Sequence, residues 1–277
     1  MSDLDRVPLP GFEPARGPVT ATWFANFPTF RPPGNRSRPL GIGSRTWHNC
    51  GALAADETPG SARQLGASYL LANQGGIGTL LGGVPGVPPG RVAILGAGVV
   101  GRHAAAVSVA LGAQVTILDR SVERLRELGA IFGHGLVTLL SDDATLEQAL
   151  DGADLVIGAV LVPGNRTPQI IPRTHLPLVA PGGVIVDVSI DQGGCVETSV
   201  PTTHTDPIRI VDGVRHAAIT NLPAAAARTA TRALANVTLP YIIRLADLGT
   251  LAALRDDPSL HQGLSIYDGR VVEPTGV

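Results

Sequence analysis

From residue 91 onward, short apolar runs rich in Val, Ile and Leu alternate with segments whose apolar positions recur every three to four residues. The runs at 91–95, 114–118, 136–140, 155–160, 184–188 and 216–219 predict strands. They lack polar alternation, as expected of strands covered on both faces. The segments at 99–111, 122–128, 145–150 and 172–179 predict the helices between them. Such alternation predicts an α/β fold, a Rossmann-type doubly wound parallel sheet. Ahead of it, "SARQLGASYLLANQGG" (61–76) has helical spacing and ends on Gly75 and Gly76, where glycine serves as a C-terminal stop. Residues 1 to about 50 mix aromatics with Pro and Gly and keep no regular period, which predicts an irregular arm. The alanine- and leucine-rich tail predicts helices broken near Pro240. Three regions follow: an arm (1–60), the α/β domain (61–222), and C-terminal helices (223–277) that pack on the arm or on a neighbouring subunit.

Composition narrows the possible functions. Of the 277 residues, 44% are hydrophobic and 16% charged, against ~25% charged in ordinary soluble domains. A chain this apolar is expected to bury the excess in its core or in a homo-oligomer interface. A net charge of −2 gives no argument for a nucleic-acid or membrane-surface partner. No stretch approaches the ~20 apolar residues of a membrane span. Two cysteines, Cys50 and Cys195, and the absence of an apolar leader point to the cytoplasm, with neither a disulfide framework nor a metal site. All 21 basic residues are arginines. Chemistry through a Schiff-base lysine is therefore excluded.

The most informative stretch is "VAILGAGVVGRHAAAVSVALGAQVTILD" (92–119). Gly96, Gly98 and Gly101 form a GxGxxG that follows a predicted strand and opens a predicted helix. Gly96 allows the tight turn, Gly98 lets backbone approach a pyrophosphate, and Gly101 lets helix and strand pack closely. Val99 and Val100 begin the helix whose free N–H groups face phosphate. Asp119 ends the next strand, where a carboxylate takes a ribose 2′-hydroxyl and favours NAD over NADP. Arg120 follows it, and an arginine near this point accommodates a 2′-phosphate.

Four further segments are more specific: "NQGGIGTLLGGVPGV" (73–87), "ADLVIGAVLVPG" (153–164), "VIVDVSIDQGGCVETSVPTTH" (184–204) and "ITNLPAAAARTATRALANVTLPYI" (219–242). Together they resemble the alanine dehydrogenase family, whose relatives include the NAD-binding parts of pyridine nucleotide transhydrogenase. The resemblance covers about residues 60–270. It implies that Ser141 lies near the adenine, and that Val160 and Leu161 pass the nicotinamide. Asn221 and Leu222 close over the nicotinamide ribose, and Asp191 stands near the reacting carbon. The residues alone also allow Asp191 to be an acid capping the following glycine turn.

The same resemblance implies a preceding α/β region that clamps the substrate with an arginine, a lysine and a catalytic histidine. No lysine is present, and the segment ahead of residue 60 is too short for that region. The expectation is an NAD-dependent oxidoreductase acting at a C–N or C–O centre of a small amino, keto or imino acid other than alanine. Asp191 and His48 are its acid–base candidates, and Arg31, Arg36, Arg38 and Arg45 could form a replacement clamp. The alternative is a non-catalytic NAD(H)-binding module that works through a partner.

Overall fold

The computed structural model describes residues 41–42, 58–162, 166–267 and 270–271. They fall into two units, one ending at Thr231 and one combining the residues from Arg232 onward with Gly41–Ile42. In chain order the elements are β1 (Gly41–Ile42), α1 (Thr58–Tyr69), β2 (Arg91–Leu95), α2 (Val99–Ala110), β3 (Gln114–Asp119), α3 (Val122–Phe132), β4 (Leu136–Leu140), α4 (Asp143–Leu150), β5 (Leu155–Gly158), β6 (Val184–Asp187), β7 (Arg209–Val211), β8 (Val214–Ala217), α5 (Ala227–Leu248), α6 (Thr250–Asp256), α7 (Pro258–Gln262), β9 (Leu264–Tyr267) and β10 (Arg270–Val271).

The larger unit is built on a seven-stranded sheet of order β4-β3-β2-β5-β6-β8-β7. Every neighbouring pair is parallel except β7 with β8. The order reverses at β2: the chain first builds outward through β3 and β4, then returns through β5, β6 and β8. Ligands of open α/β sheets bind at such a switch point, outside the carboxyl ends of the strands.

Both faces are covered, as the uninterrupted apolar runs require. Val92, Ile94, Val115, Ile117, Leu155 and Ile157 belong to one core, and Ala93, Leu95, Leu118, Val156 and Ile185 to the other. The helices supply small or apolar stripes. In α2 the buried residues are Gly101, Ala104, Ala105 and Ser108, a row of small side chains that lets backbone approach backbone. Helix α1 also comes close, since a Cβ on Gly66 would lie 2.8 Å from Leu155 Cδ1. Helix α4 starts on a reciprocal Asp142–Thr145 capping box, worth ~1 kcal/mol.

Four expectations need correcting. Residues 172–179 are not α-helix: Arg173–Leu178 forms a 3-10 turn containing Pro177, which lacks a donor and disfavours α geometry at the residue before it. The sheet is not wholly parallel, because the short strand β7 turns back onto β8 through Asp212 and Gly213, both with positive φ. Helix α5 is not broken at Pro240 but runs through it. Pro240 and Asn236 are both exposed, so water can serve the carbonyl that proline leaves unpaired. The tail is not only helical: β9 pairs with β1 and β10, so Gly41–Ile42 within the expected arm is strand. The smaller unit has its own core of Ala253, Leu254, Leu260 and Leu264, with Tyr241 and Leu245 against it.

Candidate functional site

The candidate cofactor residues and Asp191 all lie at or beyond the C-terminal end of a parallel strand. Across the sheet they run Ser141 after β4, Asp119 ending β3, the glycine loop after β2, Val160 and Leu161 after β5, Asp191 after β6, and Asn221 with Leu222 after β8. They therefore share one edge. Strands lie ~4.8 Å apart, so the three steps from β3 to β6 separate the positions of the two carboxylates by roughly 14 Å. His48, Arg31, Arg36, Arg38 and Arg45 lie outside the described residues.

Two of the three glycines in the loop leave no room for a side chain. Gly96 has φ of +98°, and its N–H donates to the Leu118 carbonyl at 2.8 Å. A Cβ there would lie 2.6 Å from the Ala159 carbonyl oxygen. A Cβ on Gly101 would collide with the Gly96 carbonyl, which is backbone and cannot swing aside. Gly98 differs: it caps α2, and a Cβ on it would meet nothing within 4 Å. The space over Gly98 and the unpaired N–H groups of the first turn, at Val99, Val100 and Gly101, form a cradle open to an anion.

Asp119 is anchored into this loop. Its Oδ2 accepts from the Ala97 N–H at 2.6 Å and its Oδ1 from the Ser121 N–H at 2.7 Å. The side chain is only 10% exposed, and the Arg124 guanidinium stands 3.8 Å away. Each carboxylate oxygen can accept more than one donor, so ribose hydroxyls can still be received. Arg120 is exposed beside it. The Ser141 N–H donates to the Asp119 carbonyl at 3.0 Å, which ties the ends of β3 and β4 together.

The other half of the edge is held by long-range contacts. The Ser189 hydroxyl donates to the Val160 carbonyl at 2.7 Å, fixing the loop after β5; Leu161 beside it is exposed. Under the turn that carries Asp191 lies Asp187, fully buried. Its carboxylate accepts from the backbone N–H groups of Ser189, Cys195 and Val196 at 3.0–3.3 Å. Burial raises the Asp187 pKa, and the Cys195 and Val196 donors pull it back. Asp187 thus organises the turn, the task that sequence alone had left open for Asp191. Asp191 is exposed at the turn's surface. The protein around its carboxyl raises its pKa by desolvation, and the Asn221 N–H pulls the other way. A carboxyl in this balance can hold a proton nearer neutrality than a free aspartate.

Two further residues join this end without having been predicted. His204 Nε2 is 3.1 Å from the Asn221 carbonyl oxygen. The Arg166 guanidinium packs against Gly193 of the Asp191 turn, with Nε 3.2 Å from where a Cβ would stand. Their sequence signal was proximity alone: His204 closes the quoted segment 184–204 and Arg166 follows 153–164. No cluster of three or more His, Cys, Asp or Glu able to hold a metal occurs among the described residues. No helix among them is long and apolar enough to cross a membrane.

Known proteins resemble the chain over most of its length. Residues 62–274 match the model of the alanine dehydrogenase/PNT C-terminal domain. The chain is 50% identical over 210 residues to an alanine dehydrogenase of Halomonas elongata, covering 76% of this chain and 57% of that protein. It is 48% identical over 211 residues to the Bacillus subtilis alanine dehydrogenase, covering 76% and 56%. A solved L-alanine dehydrogenase superimposes with a TM-score of 0.76 at 50% identity, over 80% of this chain and 62% of that one. A transhydrogenase from Sinorhizobium meliloti shares the fold, with a TM-score of 0.65 at 21% identity over 86% of this chain and 65% of that one. The chain thus spans a little over half the length of the curated relatives it matches. On this match across most of its length, the chain belongs to the alanine dehydrogenase/PNT C-terminal domain family.

Proposed function

We propose that this chain binds NAD(H) along the sheet edge and acts as an oxidoreductase of alanine dehydrogenase type, at a C–N or C–O centre of a small amino, keto or imino acid. The observation that carries this reading is the order of the loops. An anion cradle at β2, a carboxylate at β3 and a second carboxylate at β6 stand in the sequence an extended dinucleotide and its reaction partner require. NAD, when bound, supplies the hydride acceptor.

The chain's residues take distinct tasks. The first turn of α2 receives the pyrophosphate over Gly98. Asp119 receives ribose hydroxyls, Arg120 flanks it, and Ser141 borders the adenine. Val160 and Leu161 line the nicotinamide, with Asn221 and Leu222 beside its ribose. Asp191 holds or moves a proton at the reacting centre, and its raised pKa suits that task. Arg166, beside the same turn, offers a guanidinium to a substrate carboxylate; with no lysine in the chain, it stands in for an ammonium clamp. This exchange favours a substrate other than alanine, and His48 is the second acid–base candidate. The domain division into arm, dinucleotide unit and C-terminal elements belongs to the same proposal. So do a cytoplasmic location and a homo-oligomer, the latter supported by exposed Leu239, Ile242 and Ile243 on α5. A monomer by light scattering at micromolar concentration would contradict the oligomer.

A second reading is a non-catalytic NAD(H)-binding module acting through a partner: it needs the open cradle over Gly98 and the anchored Asp119, but not Asp191. The test is a fluorescence titration with NADH, followed by a panel of keto acids with ammonia and of cyclic imines, read at the NADH absorbance band. Binding with turnover supports the oxidoreductase. Binding without turnover supports the module, and no binding contradicts both.

A further inference from the structure

The chain leaves β5 through Ala159 and Val160 and comes back along the Asp191 turn from Thr167 onward. The returning end is held by backbone bonds. The Thr167 N–H donates to the Gln192 carbonyl at 3.0 Å, the Ile170 N–H to the Cys195 carbonyl at 2.7 Å, and the Glu197 N–H to the Ile171 carbonyl at 2.9 Å. Bonds of this kind form with any residue that carries an N–H. The outgoing end is held differently. On one side it meets the glycine loop: the Ala159 N–H donates to the Leu95 carbonyl at 2.8 Å, and a Cβ on Gly96 would lie 2.6 Å from the Ala159 carbonyl oxygen and 3.3 Å from the Val160 Cα. On the other side it meets a side chain, the Ser189 hydroxyl, which donates to the Val160 carbonyl at 2.7 Å.

Ser189 is a fixed donor. It belongs to the 3-10 turn Val188–Gln192 that carries Asp191. Its N–H donates to the Asp187 carboxylate at 3.1 Å, and its carbonyl accepts from the Gly194 N–H at 3.0 Å. The residue is only 8% exposed. With the backbone pinned on both sides, the hydroxyl has the Val160 carbonyl within good O–H···O range, while the Gly158 carbonyl is farther, at 3.5 Å. A buried hydroxyl is costly to leave unpaired, which favours keeping this bond. The backbone bonds of the turn do not use the hydroxyl. It reaches instead across to the loop after β5, so the Val160 backbone is gripped between the glycine loop and the Asp191 turn.

We propose that Ser189 is a positioning residue: its hydroxyl ties the Val160 backbone to the Asp191 turn and so sets where the nicotinamide half of the cofactor stands. The tie stands on the geometry of the chain; its consequence for the cofactor rests on the proposed NAD(H) binding. The pyrophosphate cradle over Gly98 and the Asp119 anchor lie on the far side of the glycine loop and do not touch Ser189. Loss of the hydroxyl should therefore loosen one half of the cofactor site and spare the other.

The test compares the full wild-type chain with Ser189→Ala, which removes one oxygen and leaves the backbone bonds of the turn. Calorimetric titrations use NADH and ADP-ribose, the latter lacking the nicotinamide ring. NADH is expected to bind the variant about three- to tenfold more weakly, the worth of one hydrogen bond, and ADP-ribose to bind both proteins alike. Ser189→Thr keeps the hydroxyl and should recover most of the lost affinity. Nitrogen-15 relaxation of the cofactor-free proteins should show Val160 and Leu161 as ordered as β5 in the wild type and looser in Ser189→Ala. Unchanged NADH affinity in the alanine variant would overturn the proposal, as would an equal loss for NADH and ADP-ribose, or a threonine variant that behaves like alanine. Relaxation separates the two readings. If NADH does not bind the wild-type chain but Ser189→Ala loosens Val160, the tie holds and the proposed function fails alone. If NADH binds and Val160 stays equally ordered without the hydroxyl, the positioning role fails alone.

Discussion

The two halves of the candidate edge are built differently. On the β2–β4 side, Asp119 contacts residues of its own βαβ unit, Ala97 and Ser121, and its side chain is almost enclosed. On the β5–β8 side, the contacts join distant segments: Ser189 to Val160 and His204 to Asn221. The first half is a rigid cradle whose parts are encoded together. The second is an assembly of loops around an exposed, partly desolvated carboxyl. A cofactor held on the first half can leave the second free to adapt to its substrate.

The largest effect should come from the second half. Asp191→Asn is expected to lower any turnover by roughly 10²–10⁴-fold, the range of general acid–base help, while NADH affinity changes little. Equal loss of affinity and turnover would erase the distinction between the halves. Next comes Gly101→Val. Its side chain would force α2 away from the Gly96 carbonyl, costing ~1–3 kcal/mol or more, read as a lower urea midpoint together with lost NADH binding.

Asp119→Asn should be milder. It keeps the size, but its NH2 group faces one of the two backbone donors that Asp119 accepts, and it gives up charge-assisted hydrogen bonds worth ~1.5–3 kcal/mol, an affinity loss of about ten- to a hundredfold. Smallest is a pH effect away from the site. His216 is buried, with Nε2 2.8 Å from the Thr198 hydroxyl and Nδ1 3.2 Å from the Val214 carbonyl. Desolvation lowers its pKa below the ordinary 6.5. A group with a depressed folded pKa gives stability that is present above the unfolded value and lost as pH falls through the folded one. Denaturation midpoints should therefore decline as pH drops below about 6.5, and His216→Gln should flatten that decline.

The same difference explains what could be read in advance. Strands β2 and β4 were legible to the residue, because an apolar run bounded by turns is a local signal. The glycine loop and Asp119 were legible for the same reason, being one continuous stretch with fixed spacing. Asp191 and Asn221, thirty residues apart in the chain, were found through resemblance and not through spacing. His204 and Arg166 gave no motif of their own. Strand β7 has only three residues and no apolar run, and Pro240 misled because water can replace what proline withholds at an exposed position. Asp187 carries no signal of its own inside the apolar run 184–188, although burial and three N–H donors make it the turn's organiser.

The central claim is that this edge holds a dinucleotide, anchored on the Asp119 side. It is tested most directly by titrating the full chain with NADH, wild type against Asp119→Asn, by nicotinamide fluorescence. The account predicts saturable binding to the wild type and a curve displaced to about ten- to a hundredfold higher NADH in the variant. No saturable binding to the folded wild type, or superimposable curves for the two proteins, would contradict it.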